Sequence, residues 1–128
     1  MRPAVARASG PVHPDEAWQR YLHPDRWSEW SPQVRHVDSD SDVIAAGSAG
    51  TVRTLGGAAV RFVVLDVDPV ARSWTWKVRT GPVSMVLDHH LHARPEGGTR
   101  AEVVIHASWP LARLYRVPAT VALYRLVH

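Results

Sequence analysis

Apolar residues near the start of the chain recur at helical spacing. Ala17, Trp18, Tyr21 and Leu22 follow Pro14-Asp15-Glu16, a proline and two acids suited to a first helical turn, and Gly10-Pro11 breaks the chain before them. This predicts a short strand over 3–9 and then a helix. Trp27 and Trp30, three apart between Pro24 and Pro32, predict a second short helix. From Val34 the period becomes two, with turn residues at 47–50, 56–57, 68–71, 81–82 and 96–98. Six strands are expected near 34–46, 51–55, 60–68, 72–80, 83–94 and 99–108. Their close spacing, with no helix between them, argues an antiparallel meander and excludes parallel βαβ architecture. After Pro110 the period is helical again. Leu111, Leu114, Tyr115, Pro118, Val121 and Ala122 are read as the covered face, Arg113, Arg116 and Thr120 as the opposite one, and Pro118 as a kink. The expected class is α+β: a curved antiparallel sheet of six to seven strands around a long C-terminal helix, in one domain over 1–128.

Strand parity assigns faces. Val83, Met85, Leu87, Leu91 and Ala93 are apolar while Asp88, His90, His92 and Arg94 are polar, and His89 alone interrupts the apolar side. Ala101, Val103, Ile105 and Ala107 are the matching residues of the next strand, so the connecting loop has odd length. A loop of Glu96-Gly97-Gly98 sets His92 opposite Glu102, Asp88 opposite His106 and His89 opposite Ile105, at the expense of Arg94 facing Arg100. The same parity places Trp74, Trp76 and Val78 on one face with Phe62, Val64 and Asp66, making Asp66 the second inward polar group. Val63, Leu65 and Val67 make the other face of that strand apolar as well. It is either covered on both sides or part of a dimer contact.

Composition narrows the classes. At 128 residues the chain has no cysteine, which removes disulfides, thiolate zinc sites and cysteine nucleophiles. Residues 1–10 hold no apolar run of signal-peptide length and no stretch approaches about 20 apolar residues, so a cytoplasmic protein that does not span a membrane is expected. Net charge is +3, and 14 of the 15 basic residues are arginines scattered singly. That argues against a nucleic-acid footprint.

Few motifs carry chemistry. His89, His90, His92 and His106 invite a metal reading, but His90 and His92 point away from His89 and no third ligand is placed. Asp38, Asp40 and Asp42 alternate like a calcium loop, yet Val43 stands where glycine is required and Ala49 where glutamate is. Gly47-Ser48-Ala49-Gly50 is no nucleophile elbow, and no helix follows Gly97-Gly98 to cradle a phosphate. No metal or cofactor is therefore expected. Six tryptophans remain, Trp18, Trp27, Trp30, Trp74, Trp76 and Trp109, more than a surface accommodates.

Six segments, taken in order, carry a resemblance: DEAWQRYLHPDRWSEWSPQV (15–34), GSAGTV (47–52), FVVLDVDP (62–69), WTWKV (74–78), HHLHARPEGGTR (89–100) and ALYRLV (122–127). Together with the order helix, helix, six strands, long helix, they resemble the helix-grip fold of the START-related (SRPBCC) lipid-binding superfamily, in its bacterial polyketide cyclase/dehydrase-like branch. Members of that superfamily include cyclases, aromatases, lipid and sterol carriers, hormone receptors and regulators, so the resemblance implies a fold and a cavity before it implies a reaction.

Three functions follow as expectations. The first is binding of a small hydrophobic, ring-containing or lipid-like molecule between sheet and C-terminal helix, against Trp30, Phe62, Val64, Trp74, Trp76, Met85, Leu87, His89, Leu91 and Tyr115. The second is a cyclase/dehydratase-type enzyme with His89 as acid or base, Asp66 orienting it and Tyr115 donating to a developing enolate. The third is an interaction module or homodimer, through Val63, Leu65 and Val67 or the flank of the long helix.

Overall fold

The structure, a computed structural model, describes residues 3–128, apart from the side chain of Trp109. The expected contribution of Trp109 to the aromatic core therefore lies outside the described residues. Seven strands form one antiparallel sheet: β1 (Ala4–Gly10), β2 (Val34–Ser39), β3 (Ala49–Thr54), β4 (Ala59–Asp68), β5 (Ser73–Thr80), β6 (Val83–Ala93) and β7 (Thr99–His106). Their order is β1-β7-β6-β5-β4-β3-β2, a meander whose last strand receives β1 at its free edge. Helix α1 (Pro14–Leu22), a 3-10 turn (Pro24–Arg26) and α2 (Trp27–Trp30) lie between β1 and β2, and α3 (Trp109–Val127) closes the chain.

Local chemistry accounts for the helix ends. The Nδ1 of His13 accepts from the backbone N–H of Asp15 at 3.1 Å and caps α1, while Pro14 occupies the first helical position, where no intrahelical donor is needed. At the far end of α3, Arg20 of α1 donates to the carbonyls of Leu126 (2.7 Å) and Arg125 (3.4 Å), which lack partners within their own helix. Backbone N–H of Val12 donates to the carbonyl of Val127 at 3.0 Å, so the segment after β1 is stitched to the last turn of α3. Gly10 permits this approach, because a Cβ there would collide with the Val127 carbonyl.

Three expectations about the strands are corrected. First, the strand expected over 34–46 ends at Ser39. The Asp40 carboxylate then accepts from the Ala49 N–H (3.1 Å), the Ser48 hydroxyl from the Ala45 N–H (2.9 Å), and the Ile44 N–H reaches the Leu22 carbonyl (2.9 Å). These bonds, two of them to side chains, give the backbone an alternative to the ladder.

Second, the β6–β7 register slips by two residues from the expected one. Asp88 faces Val104, His89 faces Val103, His90 faces Glu102 and His92 faces Arg100. The loop is Arg94 to Gly98, closed by an Arg94 N–H bond to the Gly98 carbonyl (3.1 Å). A loop of only Glu96-Gly97-Gly98 would make Pro95 a ladder residue, and proline has no N–H to give. The loop length stays odd, so every face assignment in this hairpin survives the slip. His106 still reaches Asp88, at 2.8 Å, across the diagonal.

Third, β4 carries a bulge at Leu65. Val64 faces Trp76 and Asp66 faces Thr75, leaving Leu65 without a partner. One extra residue exchanges the faces of everything beyond it. Val67 turns toward the core opposite Trp74, whereas Asp66 is exposed, so its expected inward orientation is wrong. The outward apolar row on β4 shrinks to Val63 and a half-exposed Leu65.

Helix α3 continues through Pro118, although that ring leaves the Leu114 carbonyl without its usual donor. Its buried positions are Ala112, Ala119, Ala122, Leu123, Leu126 and Val127. Leu114 and Val121, expected on the covered face, point outward at 73% and 45% exposure, in one stripe with Val117 and Tyr124. Ala112, Ala119 and Ala122 let α3 sit close to β1 and β7, with Leu123, Leu126 and Val127 packed beside them and Leu114, Val117, Val121 and Tyr124 left outside.

Candidate functional site

The inward side chains of the sheet and the inner face of α3 enclose a cavity of about 310 Å3, at the low end of the range for small-molecule sites. From β5, β6 and β7 come Trp76, Val78, Met85, Leu87, His89 and Val103; from β3 and β4, Val52, Thr54 and Val60. Leu111, Tyr115, Ala119 and Ala122 of α3 form the roof, and Trp27, Trp30, Ser31, Gln33 and Val34 close one side. The lining residues that are exposed, Arg79, Thr80, Val83 and Ser84, mark a mouth at the β5–β6 turn.

Of the residues expected to touch a ligand, the structure brings Trp30, Trp76, Met85, Leu87, His89 and Tyr115 to this cavity. Phe62, Val64, Trp74 and Leu91 share the same sheet face but do not line it; they are buried in the layer behind. Trp27 accounts for much of this. Its indole lies 5.7 Å from that of Trp74 with planes 25° apart and 5.5 Å from the ring of Phe62, so it covers both and itself lines the cavity. The Trp27 Nε1 donates to the Tyr21 carbonyl at 2.8 Å and the Trp30 Nε1 to the Arg20 carbonyl at 3.2 Å, which fixes both indoles. Parity reasoning names the residues of a strand face but says nothing of which part of that face a helix covers.

Two polar groups matter most. His89 is buried, stacked on Trp74 with ring centroids 4.0 Å apart and planes 10° apart, with Tyr21 at 5.4 Å edge-on. Its Nδ1 lies 3.1 Å from the Trp74 carbonyl. A carbonyl only accepts, so Nδ1 carries the proton. Burial, helped by the neighbouring His90, pushes the imidazole down to about 3, outweighing the opposing pull of the Trp74 carbonyl, of Asp88 and of the Leu87 backbone, and the ring is neutral at any ordinary pH. Tyr115, half-buried on α3, has its phenol held above the usual value by burial, partly offset by a hydrogen bond with Gln33, so it keeps its proton.

Asp66 is absent from the cavity and reaches neither His89 nor Tyr115 among the described interactions. The polar lining that parity reasoning missed comes instead from Ser31, Gln33, Thr54 and Ser84. Ser31 and Gln33 follow the second short helix, where a turn decides direction and no period exists to read. Elsewhere, His90 and His92 stack outward 6.3 Å apart, and the Asp38 carboxylate is bonded to His36 and Arg53. Among the described residues no three potential ligands gather around a point that would hold a metal, and no helix is long and apolar enough to cross a membrane.

Comparison with known proteins agrees with this geometry. The family model described as polyketide cyclase / dehydrase and lipid transport matches residues 5–124, and the chain belongs to that family. A comparison with curated protein sequences found no match. Among solved structures, XoxI from Bacillus cereus superposes with a TM-score of 0.81 at 11% identity, over 99% of this chain and 94% of that one. DynU16, a protein of the dynemicin biosynthetic locus, gives 0.78 at 18% identity; 98% of this chain covers 46% of DynU16. Ara h 8.0201 gives 0.69 at 12%, over 98% and 97%. At these identities the likeness is one of fold, and the helix-grip architecture is common to all.

Proposed function

We propose that this member of the polyketide cyclase / dehydrase and lipid transport family works as one ligand-binding domain, taking a small hydrophobic, ring-containing or lipid-like molecule into the cavity under α3. The observation that carries the reading is the cavity itself: about 310 Å3, walled mainly by aromatic and aliphatic side chains, with its one strongly basic group, Arg79, out at the mouth. Trp30, Trp76, Met85, Leu87, His89 and Tyr115 are the proposed contacts. Phe62, Val64, Trp74 and Leu91 support them from behind.

A cyclase/dehydratase reading needs a group that exchanges a proton near neutral pH. His89 at about 3 is a weak base, and Asp66 is too far outside to orient it. Binding without turnover is therefore the better-supported function. The stripe Leu114, Val117, Val121 and Tyr124, spaced 3-4-3 along α3 and exposed, supports a homodimer through that helix as an additional property.

Titration of tryptophan fluorescence with neutral aromatic probes of two and three fused rings tests the binding reading. Saturable 1:1 quenching is expected in the native chain, with its loss in Ala119→Trp, where an indole projects into the cavity from α3. No response to any such probe, together with native mass spectra free of a co-purified ligand, would end it.

A further inference from the structure

We propose that the cavity selects ligands bearing a hydroxyl donor, a phenol or alcohol on an otherwise apolar frame, and that the atom reading this donor is Nε2 of His89. The inference rests on the proposed binding function and specifies its ligand class.

The tautomer is set by geometry. Nδ1 points at the Trp74 carbonyl, 3.1 Å away, and a neutral imidazole carries one proton, so Nε2 keeps a lone pair. The ring has no freedom to exchange these roles. It lies flat against Trp74 at 4.0 Å with Tyr21 edge-on, and a half-turn about Cβ–Cγ would replace Nδ1 by carbon and forfeit the carbonyl bond.

No described residue donates to Nε2; the Leu87 backbone, the other main-chain group that bears on the ring, holds the ring's proton and does not supply one. The donors nearest in the aromatic cluster, the Tyr21 hydroxyl and the indole nitrogens of Trp74 and Trp76, are themselves buried without partners. His89 thus brings an unanswered acceptor to the wall of an apolar cavity, where leaving such an atom unpaired beside bound hydrocarbon is costly. A hydroxyl supplies the missing proton. An ether or ketone in the same place sets lone pair against lone pair. A carboxylate finds no cation inside, since Arg79 is at the mouth and turned to the Gly81 carbonyl at 3.3 Å. Selection by a buried polar group against the analogue that cannot pair with it is stronger than selection by size alone.

Three probes of one shape separate the possibilities: 2-naphthol, 2-methoxynaphthalene and naphthalene, titrated into the full chain by calorimetry or tryptophan fluorescence. The native protein is expected to bind 2-naphthol about tenfold more tightly than the methyl ether, as one neutral hydrogen bond allows. His89→Phe should bind all three within about twofold of one another, because the ring that reads the hydroxyl is gone. Long-range proton–nitrogen NMR spectra of the native protein give a readout that needs no variant: a protonated Nδ1, and an Nε2 resonance that moves with 2-naphthol but not with the ether. Equal native affinities would overturn the donor selectivity and leave the cavity reading standing. A preference that persists in His89→Phe, or a proton found on Nε2 in the ligand-free protein, would overturn the assignment to His89. If none of the three binds and native mass spectra are free of a co-purified ligand, the binding function fails with it.

Discussion

Trp74 and His89 face each other across β5 and β6 as register partners, and the imidazole of one stacks on the indole of the other while bonding to its backbone carbonyl. A single cross-strand pair thereby fixes a ring's position, its tautomer and its charge. The stack alone contributes about 0.5–1.5 kcal/mol beyond area burial. Removing water from the ring is what makes protonation so unfavourable, and several consequences can be measured.

The first is a pH dependence. His89 accepts a proton near 6.5 when unfolded but only near 3 when folded, so between those values the unfolded chain binds more protons. Stability is complete above about pH 6.5 and falls as pH drops toward 3, by at most about 1.4 kcal/mol per pH unit from this group. Urea midpoints measured from pH 5 to 7 should show this slope in the native protein and a flatter one in His89→Phe. Identical slopes would mean that the ring is not neutralised by burial.

Trp74→Ala should cost about 3–5 kcal/mol, because the indole is buried under both Trp27 and His89. Denaturant unfolding monitored by far-UV circular dichroism reads this directly. A loss under about 1 kcal/mol would show that the aromatic layer can collapse over the gap.

On α3, Leu123→Ala and Leu114→Ala exchange the same groups at buried and exposed sites. The first is expected to cost about 2–5 kcal/mol and the second to lie within about 0.5 kcal/mol of the native protein. If the outward stripe joins two copies, Leu114→Glu should in addition convert a dimer to a monomer in light scattering. A native protein that is monomeric at all concentrations removes that reading.

Asp66→Asn is expected to be silent in both stability and naphthol binding, since the side chain lies outside the sheet beyond the Leu65 bulge. A variant that loses binding would contradict the placement of the bulge.

Two adjacent glycines in the β6–β7 turn provide a steric contrast. Both have positive φ, +98° at Gly97 and +84° at Gly98, so alanine at either costs about 1–3 kcal/mol. At Gly97 nothing stands within 4 Å of the added methyl, whereas at Gly98 it meets the Gly10 backbone. Gly98→Ala should therefore be the more damaging by thermal melting, and equal effects would argue that β1 does not lie against this turn.

The elements themselves were legible because their signals are local. Pro14-Asp15-Glu16 suits a helix start wherever it occurs, and alternation from Val83 to Ala93 states a half-covered strand with His89 on the covered side. Parity also survived the β6–β7 slip, because a two-residue shift moves no side chain to the other face. The cavity contacts on β5 and β6 were legible for that reason. Asp66 was not, because a bulge depends on how β4 and β5 fit and twist together, and Leu65 carries no mark distinguishing it from Val63.

Local pattern was enough to specify the antiparallel meander, the two short helices, the closing helix and an apolar inner face interrupted by His89; each rests on periods and turn residues that act over a few positions. Long-range packing set the strand register, the side on which Asp66 lies, the outward turn of Leu114 and Val121, and the division of the aromatic residues into those that touch the cavity and those that stand behind it. Those outcomes depend on backbone hydrogen bonds that are chemically alike in every register, and on where α1, α2 and α3 come to rest on the sheet. Contact between elements far apart in the chain, as between Trp27 and Trp74, selects among arrangements that local pattern leaves equivalent.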